Sequence, residues 1–401
     1  MNILLVIDSL AIGGAEVFIV RLANHLARRN HRVFILDINP AKRSQLITQR
    51  ISDQVHLLTI DKSLSLYEKI QWKLIYTISR FSESWGNKAA FLRKRFEAKK
   101  LAKYLENVTQ EQDIDVINSH LATADWIVAH YFASKNRKQK FIISMHGCYN
   151  QVDVETHPVK KLQYADRNWL LGLADYIVLL TPQNARPLIN VPLRQDPVFI
   201  PLGFDSPPDQ LPDAAAAKQT SSFTFGLVSR AIPKKGWEEA ILATSLLNEE
   251  RISCKLILVG GGEYQQMLQQ RFGHLPYVHF VGASGQVTDW ISQFDVGLLP
   301  SYVEYESFPN TVIEYLACGK PVIATNIGEV QNMISTPDGQ LAGTLLTYLP
   351  EGISVTQLAD RMRDYTQNRE LLSRHTDLAP KAFEKFDMDR CVLSYEAIYN
   401  A

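Results

Sequence analysis

Long apolar runs are missing from this chain. No stretch of about 20 uncharged apolar residues occurs anywhere in its 401 positions, so no segment is expected to span a bilayer. Cysteine is scarce, with four residues in all. Cys148, Cys254, Cys318 and Cys391 follow neither metal-ligand nor disulfide spacing, which suits a reducing compartment. Excess charge of either sign is absent, since 42 Lys and Arg balance 42 Asp and Glu. That leaves no overall basic field to draw nucleic acid, and no nucleic-acid partner is expected. No charged leader or cleavage pattern precedes the first apolar strand, so a cytoplasmic location is expected. The turn after that strand lacks the third glycine of a dinucleotide fingerprint, which disfavours a plain dehydrogenase.

What is present has the rhythm of alternating strands and helices, repeated in both halves. The length predicts two or more domains with large cores. Apolar runs at Ile3–Asp8, Arg32–Ile38, His56–Ile60, Asp115–His120, Lys140–His146 and Asp175–Thr181 read as buried parallel strands. Gly13 and Gly14 follow the first of these and open a helix, a placement that lets backbone approach a ligand closely. A tight turn between strand and helix explains the same two glycines. His120 ends one strand and His146 another, where open α/β sheets bind ligands. Ser206–Ser222, rich in Pro, Asp, Ala and Ser, reads as a surface linker. Past it, strands are expected at Phe223–Ser229, Lys255–Val259, Val278–Gly282 and Val296–Leu299, with a helix over Trp237–Glu249.

One further segment stands out. Positions 66–106 interleave ten Lys and Arg with Trp72, Tyr76, Phe81, Trp85, Phe91 and Phe96. A basic, aromatic helix of this type can lie in an anionic lipid interface, and the expectation is a peripheral membrane contact. A long helix packed on the sheet with its lysines in water accounts for the same pattern.

The most informative stretch is Leu299–Thr325, LPSYVEYESFPNTVIEYLACGKPVIAT. It predicts a strand end, an acidic loop, a helix whose first turn holds Pro309, a stop at Gly319 and a second buried strand from Pro321. Glu306 precedes the helix and Glu314 lies on it, with seven residues between. In this stretch the chain resembles the family-four retaining glycosyltransferases. Pro300-Ser301, Glu306-Ser307-Phe308-Pro309, Glu314 and Gly319-Lys320-Pro321-Val322-Ile323-Ala324 follow their donor-sugar motif. Arg230 and Lys235 match the family's Gly-Arg-Leu-x3-Lys-Gly, with Ser229 in place of its first Gly. The resemblance covers nearly the whole chain and is most specific over residues 225–330.

It implies a GT-B fold, α/β, with two Rossmann-like domains facing across a cleft. Residues 1–205 would form the acceptor domain and 206–385 the nucleotide-sugar domain, while 386–401 would form a helix crossing back to the first domain. Arg230 and Lys235 would hold the donor diphosphate. Glu306 would bond donor-sugar hydroxyls, without being a covalent nucleophile, and Glu314 the ribose hydroxyls. Phe308, Pro309 and Asn310 would present backbone, with Ser307 in the same loop counted as substrate-binding. Gly262 would lie near the nucleotide, and Gly282 with Ala283 at its base. Gly13 and Gly14 would floor the cleft, His120 would stand by the reacting sugar and His146 near the acceptor.

The implied reaction is transfer of a hexose, with retention, from a nucleotide-diphosphate sugar, UDP ahead of GDP. The acceptor would be a glycan or lipid-linked glycan, as in surface polysaccharide assembly. No Asp-x-Asp motif sits on a plausible loop, and no metal or resident cofactor is expected; the sugar nucleotide is a co-substrate. The alternatives left open are a GT-B sugar-nucleotide epimerase or hydrolase, and a non-catalytic sugar-nucleotide-binding protein.

Overall fold

The computed structural model describes residues 1–60, 83–133, 138–146, 167–205, 222–304, 306 and 308–401. Residues 66–82 of the basic segment, nearly all of the expected linker, and Ser307 lie outside them. The chain divides into two compact units, 1–203 with 388–401, and 204–387. The divisions fall two residues from the expected 205/206 and 385/386, because the backbone of Phe204 already bridges to Asp387.

The first unit is built on seven parallel strands: β1 (Asn2–Ile7), β2 (Arg32–Asp37), β3 (Val55–Thr59), β4 (Val116–His120), β5 (Lys140–Met145), β6 (Tyr176–Leu179) and β7 (Val198–Phe199). Their spatial order is β3-β2-β1-β4-β5-β6-β7. Interior strands such as NILLVI are almost wholly buried, as helices on both faces require. Between them run α1 (Gly14–Arg28), α2 (Gln45–Thr48), α3 (Glu83–Glu111), α4 (Ala122–Ala133) and α5 (Arg167–Leu171). Helix α4 has no counterpart in the sequence reading. It is apolar all round rather than striped, so periodicity gives it no signature. Pro182–Leu188 opens as expected but closes into 3-10 turns.

The second unit holds six parallel strands: β8 (Phe223–Val228), β9 (Cys254–Val259), β10 (Val278–Gly282), β11 (Val296–Leu299), β12 (Val322–Thr325) and β13 (Gly343–Leu346), ordered β10-β9-β8-β11-β12-β13. Its helices are α6 (Trp237–Glu249), α7 (Glu263–Phe272), α8 (Val287–Ser292), α9 (Asn310–Ala317), α10 (Val330–Ile334), α11 (Val355–Gln367) and α12 (Arg369–Phe383). Two strand glycines make room for aromatic rings. A Cβ on Gly226 would sit 2.1 Å from the Phe294 ring, and one on Gly297 2.4 Å from Tyr315. The buried Tyr315 phenol then staples the sheet, accepting from Val228 N at 2.8 Å and donating to Leu298 O at 3.2 Å.

The last helix, α13 (Met388–Asn400), belongs to the first unit. Tyr395 and Tyr399 reach the sheet, where Tyr395 meets Ser144 Oγ at 3.1 Å and Tyr399 accepts from Asn118 Nδ2 at 2.8 Å. Glu396 takes a two-pronged bond from Arg29, and Lys140 Nζ caps the final carbonyls of Ile398 and Tyr399. Leu393, expected on the apolar face, is half exposed; Cys391 and Tyr399 fill that face instead.

In each sheet the order reverses once, between β1 and β4 and between β8 and β11. At such a reversal the flanking loops diverge and leave a crevice at the carboxyl ends of the strands. Nearly all the sequence-selected residues lie on loops at the carboxyl ends of strands in one unit or the other.

Candidate active site

In the second unit the loop after β8 is fastened to the loop after β11. Lys234 O accepts from Tyr302 N at 2.9 Å. Gly236 takes a left-handed turn at φ 74°, and a Cβ there would lie 2.2 Å from Pro300 O. Only glycine meets both demands, the turn and the close approach. The turn starts α6 and directs Lys235 at the acidic loop, where its ammonium is bonded directly to Glu306 Oε2. The same oxygen accepts from Ser301 Oγ at 2.9 Å, and Ser301 is fully buried. Both members of the ion pair are 13% exposed, so neither is left in a dry pocket without its counter-charge. Sequence reading gives Ser301 no role; it is the buried hydroxyl that fixes the Glu306 carboxylate.

Arg230 sits on the same β8 loop, exposed, and among the described residues no partner holds it. Trp237 Nε1 donates to Ser229 Oγ at 2.8 Å and pins the loop behind Arg230. Glu314 lies half-buried on α9, whose first turn is tied to β8 by Thr311 Oγ1 to Val228 O at 3.1 Å. Pro309, expected inside the helix, is instead the residue before it, with an extended ψ of 111° and no side-chain cap. The first N–H groups of α9, starting at Asn310, are thus uncapped by any side chain. Phe308 leans edge-on against Phe386 at 5.8 Å. Gly319, left-handed at φ 65°, ends α9 in a paired turn: Lys320 N to Tyr315 O and Gly319 N to Leu316 O.

The glycines of β9 and β10 join this edge. A Cβ on Gly260 would lie 1.8 Å from Ser229 O, so the β9 loop is pressed onto the β8 loop. Gly260 N donates to Gly282 O at 2.8 Å, which brings Gly282 and Ala283 alongside. Gly262, at φ 137°, precedes α7 with no side-chain cap. The second unit therefore assembles Arg230, Lys235, Glu306, Gly262, Gly282, Ala283 and the start of α9 on one sheet edge.

The first unit assembles its own group around β1 and β4. His120 is fully buried, and its Nδ1 is 2.8 Å from His146 Nε2. Phe18 of α1 lies against both rings. One imidazole must donate and the other accept, so at most one proton is shared between the two facing nitrogens. Burial holds His120 well below the usual imidazole range, with His146 adding to it, and burial lowers His146 to about 4. The outer nitrogens, His120 Nε2 and His146 Nδ1, are buried without a hydrogen bond among the described residues. Leu121, just after His120, is left-handed at φ 75°, a rare state for a residue with a Cβ. Gly13 is extended at φ −171°, and its missing side chain makes room for the Glu16 carboxylate, which would be 2.2 Å from a Cβ. Gly14 begins α1 and is exposed.

Comparison with known proteins bears on the family and the fold. The family described as Glycosyltransferase Family 4 matches residues 12–206, and Glycosyl transferases group 1 matches residues 222–368. An N-acetyl-alpha-D-glucosaminyl L-malate synthase of Bacillus anthracis is 24% identical over 311 residues, 75% of this chain and 78% of that protein. An N,N'-diacetylbacillosaminyl-diphospho-undecaprenol alpha-1,3-N-acetylgalactosaminyltransferase of Campylobacter jejuni is 30% identical over 120 residues, 29% of this chain and 31% of that protein. HepE from Anabaena, solved with UDP and glucose, has the same fold at TM-score 0.70 and 17% identity, with both chains covered in full. The two family matches leave only residues 1–11, 207–221 and 369–401 outside, and with two parallel-sheet α/β units of the GT-B type the chain is a glycosyltransferase that belongs to the group 1 family.

Proposed function

We propose that this glycosyltransferase moves a hexose from UDP-hexose to a glycan or lipid-linked glycan, with retention and without a metal at the chemical step. The observation that carries the reading is the Lys235–Glu306 pair beside Arg230 and the uncapped start of α9. A departing nucleoside diphosphate gains negative charge as the glycosidic bond breaks. Fixed cations and oriented N–H groups lower that cost more in the transition state than in the ground state. Helix N–H groups alone offer about 0.3–1 kcal/mol at an exposed end, so the two side chains must supply most of the effect.

In the unliganded protein Glu306 and Lys235 neutralise each other. On donor binding Lys235 turns to the pyrophosphate and Glu306 to sugar hydroxyls, so neither charge is stranded. Glu306, held by Ser301 and Lys235, is poorly placed as a free nucleophile. That supports a front-face route in which the leaving phosphate helps deprotonate the acceptor hydroxyl. Glu314 takes the ribose hydroxyls, Gly262, Gly282 and Ala283 line the nucleotide, and Phe308, Pro309 and Asn310 offer backbone to sugar and phosphate. In the first unit His120 and His146 contact the sugar or acceptor, over Gly13 and Gly14.

The undecaprenol-linked substrate in the name of the Campylobacter relative supports a lipid-linked acceptor and a place in polysaccharide or glycoconjugate synthesis. Helix α3 suits such an acceptor. Ala98, Leu101, Ala102, Leu105 and Val108 are buried, while Phe96, Lys99, Lys100 and Lys103 are exposed. No helix among the described residues is long and apolar enough to cross a membrane. Co-sedimentation with anionic vesicles at rising salt tests the contact, and no binding at low salt removes it.

The reaction itself is tested by proton NMR of the product from UDP-hexose and a glycan-lipid acceptor. An axial-to-axial outcome supports retention, and inversion refutes it. Donor without acceptor is the control: rapid epimer or free sugar would favour an epimerase or hydrolase.

A further inference from the structure

A second polar pocket lies in the second unit, away from the β8–β11 crevice. It sits beside the edge strand β13 and is roofed by α11 and α12, with a volume of about 490 Å³. Its polar lining includes Arg361, Arg374, His375 and Thr344, and Leu341 and Leu378 supply apolar wall. No acid lines it.

The pocket is built from the inside. His375 is 5% exposed and Tyr365 1%. Their contact, Tyr365 O to His375 Nδ1, is 2.6 Å, and the other ring nitrogen, Nε2, is 3.4 Å from an Arg374 nitrogen. A guanidinium can only donate, so Nε2 must accept and the ring proton sits on Nδ1, bonded to the Tyr365 oxygen. Protonating the ring would set a second cation against Arg374. Burial, reinforced by Arg374, keeps His375 neutral by lowering it to about 4. The Thr344 hydroxyl, buried beside the Tyr365 phenol, makes no hydrogen bond of ordinary geometry among the described residues.

A surface arginine usually wanders among many rotamers. Here a buried histidine, itself bonded to a buried tyrosine, contacts one at the pocket wall, with no carboxylate to receive it among the described residues. Arg361 has an i,i+3 contact with Asp364 at 3.2 Å, an exposed pair of the kind that contributes little. Two guanidinium forks with free donors match a tetrahedral oxyanion better than one flat carboxylate. The cavity is far larger than such an ion and has apolar wall, and it falls in the range that takes small organic ligands.

We propose that this pocket binds a small phosphate ester, its phosphate gripped by Arg374 and Arg361 and its organic part laid on Leu341 and Leu378. The probes are inorganic phosphate and phenyl phosphate, titrated calorimetrically into the full chain. Because the crevice at Arg230 and Lys235 also suits phosphate, the titrations are run on an Arg230→Ala/Lys235→Ala background. Phenyl phosphate is expected to bind there and to bind more tightly than inorganic phosphate. Adding Arg374→Ala should weaken it at least ~10-fold, the loss of one charge-assisted bond. Arg374→Lys, which keeps the charge but loses the fork, should recover only part of this. The proposal is overturned if neither probe binds that background at about 10 mM, a concentration at which even millimolar affinity registers. It is equally overturned if Arg374→Ala leaves the affinity unchanged, or if the two probes bind alike, which would leave only a nonspecific anion effect.

Discussion

The two units share a strand order but fill the point of reversal differently. Between β1 and β4 the first unit places two neutral imidazoles, fully or nearly buried and bonded to each other, under the ring of Phe18. Between β8 and β11 the second unit places an ammonium and a carboxylate, bonded directly and anchored by Ser301. One crevice offers hydrogen bonds without net charge, which suits a neutral sugar hydroxyl. The other offers separable charges, which suits a pyrophosphate and the sugar attached to it. The division follows from what each loop can afford to desolvate: neutral imidazoles tolerate full burial, whereas ions need each other until a ligand replaces one of them.

The largest effect should come from breaking the charged side. Lys235→Ala is expected to lower kcat at least ~100-fold, as removal of one preorganised donor to developing negative charge does. Arg230→Ala should do the same, and more purely, since among the described residues that side chain has no partner to strand. Lys235→Ala leaves Glu306 with Ser301 as its side-chain partner among the described residues, so part of its effect should appear as weaker donor binding. Steady-state kinetics with a UDP-hexose reads both. Turnover unchanged in either variant would remove the diphosphate role from this loop.

The next effect concerns the loop that aims Lys235. Gly236→Ala forces a Cβ to within 2.2 Å of Pro300 O at a φ of 74°. The opposing atom is backbone and cannot swing aside. A destabilisation of about 1–3 kcal/mol from the turn alone is expected, with steric strain on top. Urea unfolding measures it, and kcat should fall as Lys235 is displaced. A fully stable, fully active Gly236→Ala would show that the two loops are not held together as described.

The uncharged side should respond to acid. His146 and His375 each fall from 6.5 to about 4 on folding, and His120 moves the same way. The folded chain therefore binds fewer protons than the unfolded chain. The stability that depends on these imidazoles is full above about pH 6.5 and is lost progressively as pH falls toward about 4. His146→Phe should flatten part of that decline while lowering stability at pH 7, because His120 loses its hydrogen bond. Urea midpoints taken between pH 7 and pH 4.5 give the slopes. If the variant and the parent decline in parallel, the imidazole pair is not the acid-sensitive element of the first unit.

The second unit was the more legible of the two in sequence, because it carries a family's motif with its flanks. Arg230, Lys235 and Glu306 on loops and Glu314 on α9 match that motif, whereas two acids with seven residues between them would by themselves say little. Its boundaries read well too: α6 and β11 fall where expected, since Gly236 and Asp295 flank them. The imidazole pair was half legible. His120 and His146 each announce a strand end, but 26 residues separate them and nothing local says that the rings meet. Ser301 was visible as part of the matched Pro300-Ser301 strand end, but nothing local says that its hydroxyl holds the Glu306 carboxylate. Helix α4 has no polar face, and α7 follows a glycine run without a capping side chain, so neither offers a start signal.

The smallest effect separates two glycines that look alike in sequence, each standing just before a helix. Gly13 is extended, a backbone state open to any residue, and a Cβ there would meet only the end of the flexible Glu16 side chain. Burial and the neighbouring Asp8 already raise the Glu16 carboxyl, so turning it toward water relieves a cost as well as a clash. Gly13→Ala should therefore lower stability by less than ~1 kcal/mol, about the difference between glycine and alanine before a helix. Measured beside Gly236→Ala by the same urea titration, it should be the milder change by a clear margin. Equal losses would mean that Gly13, like Gly236, is pressed against something rigid, and the first unit's loop would then be as tightly built as the second's.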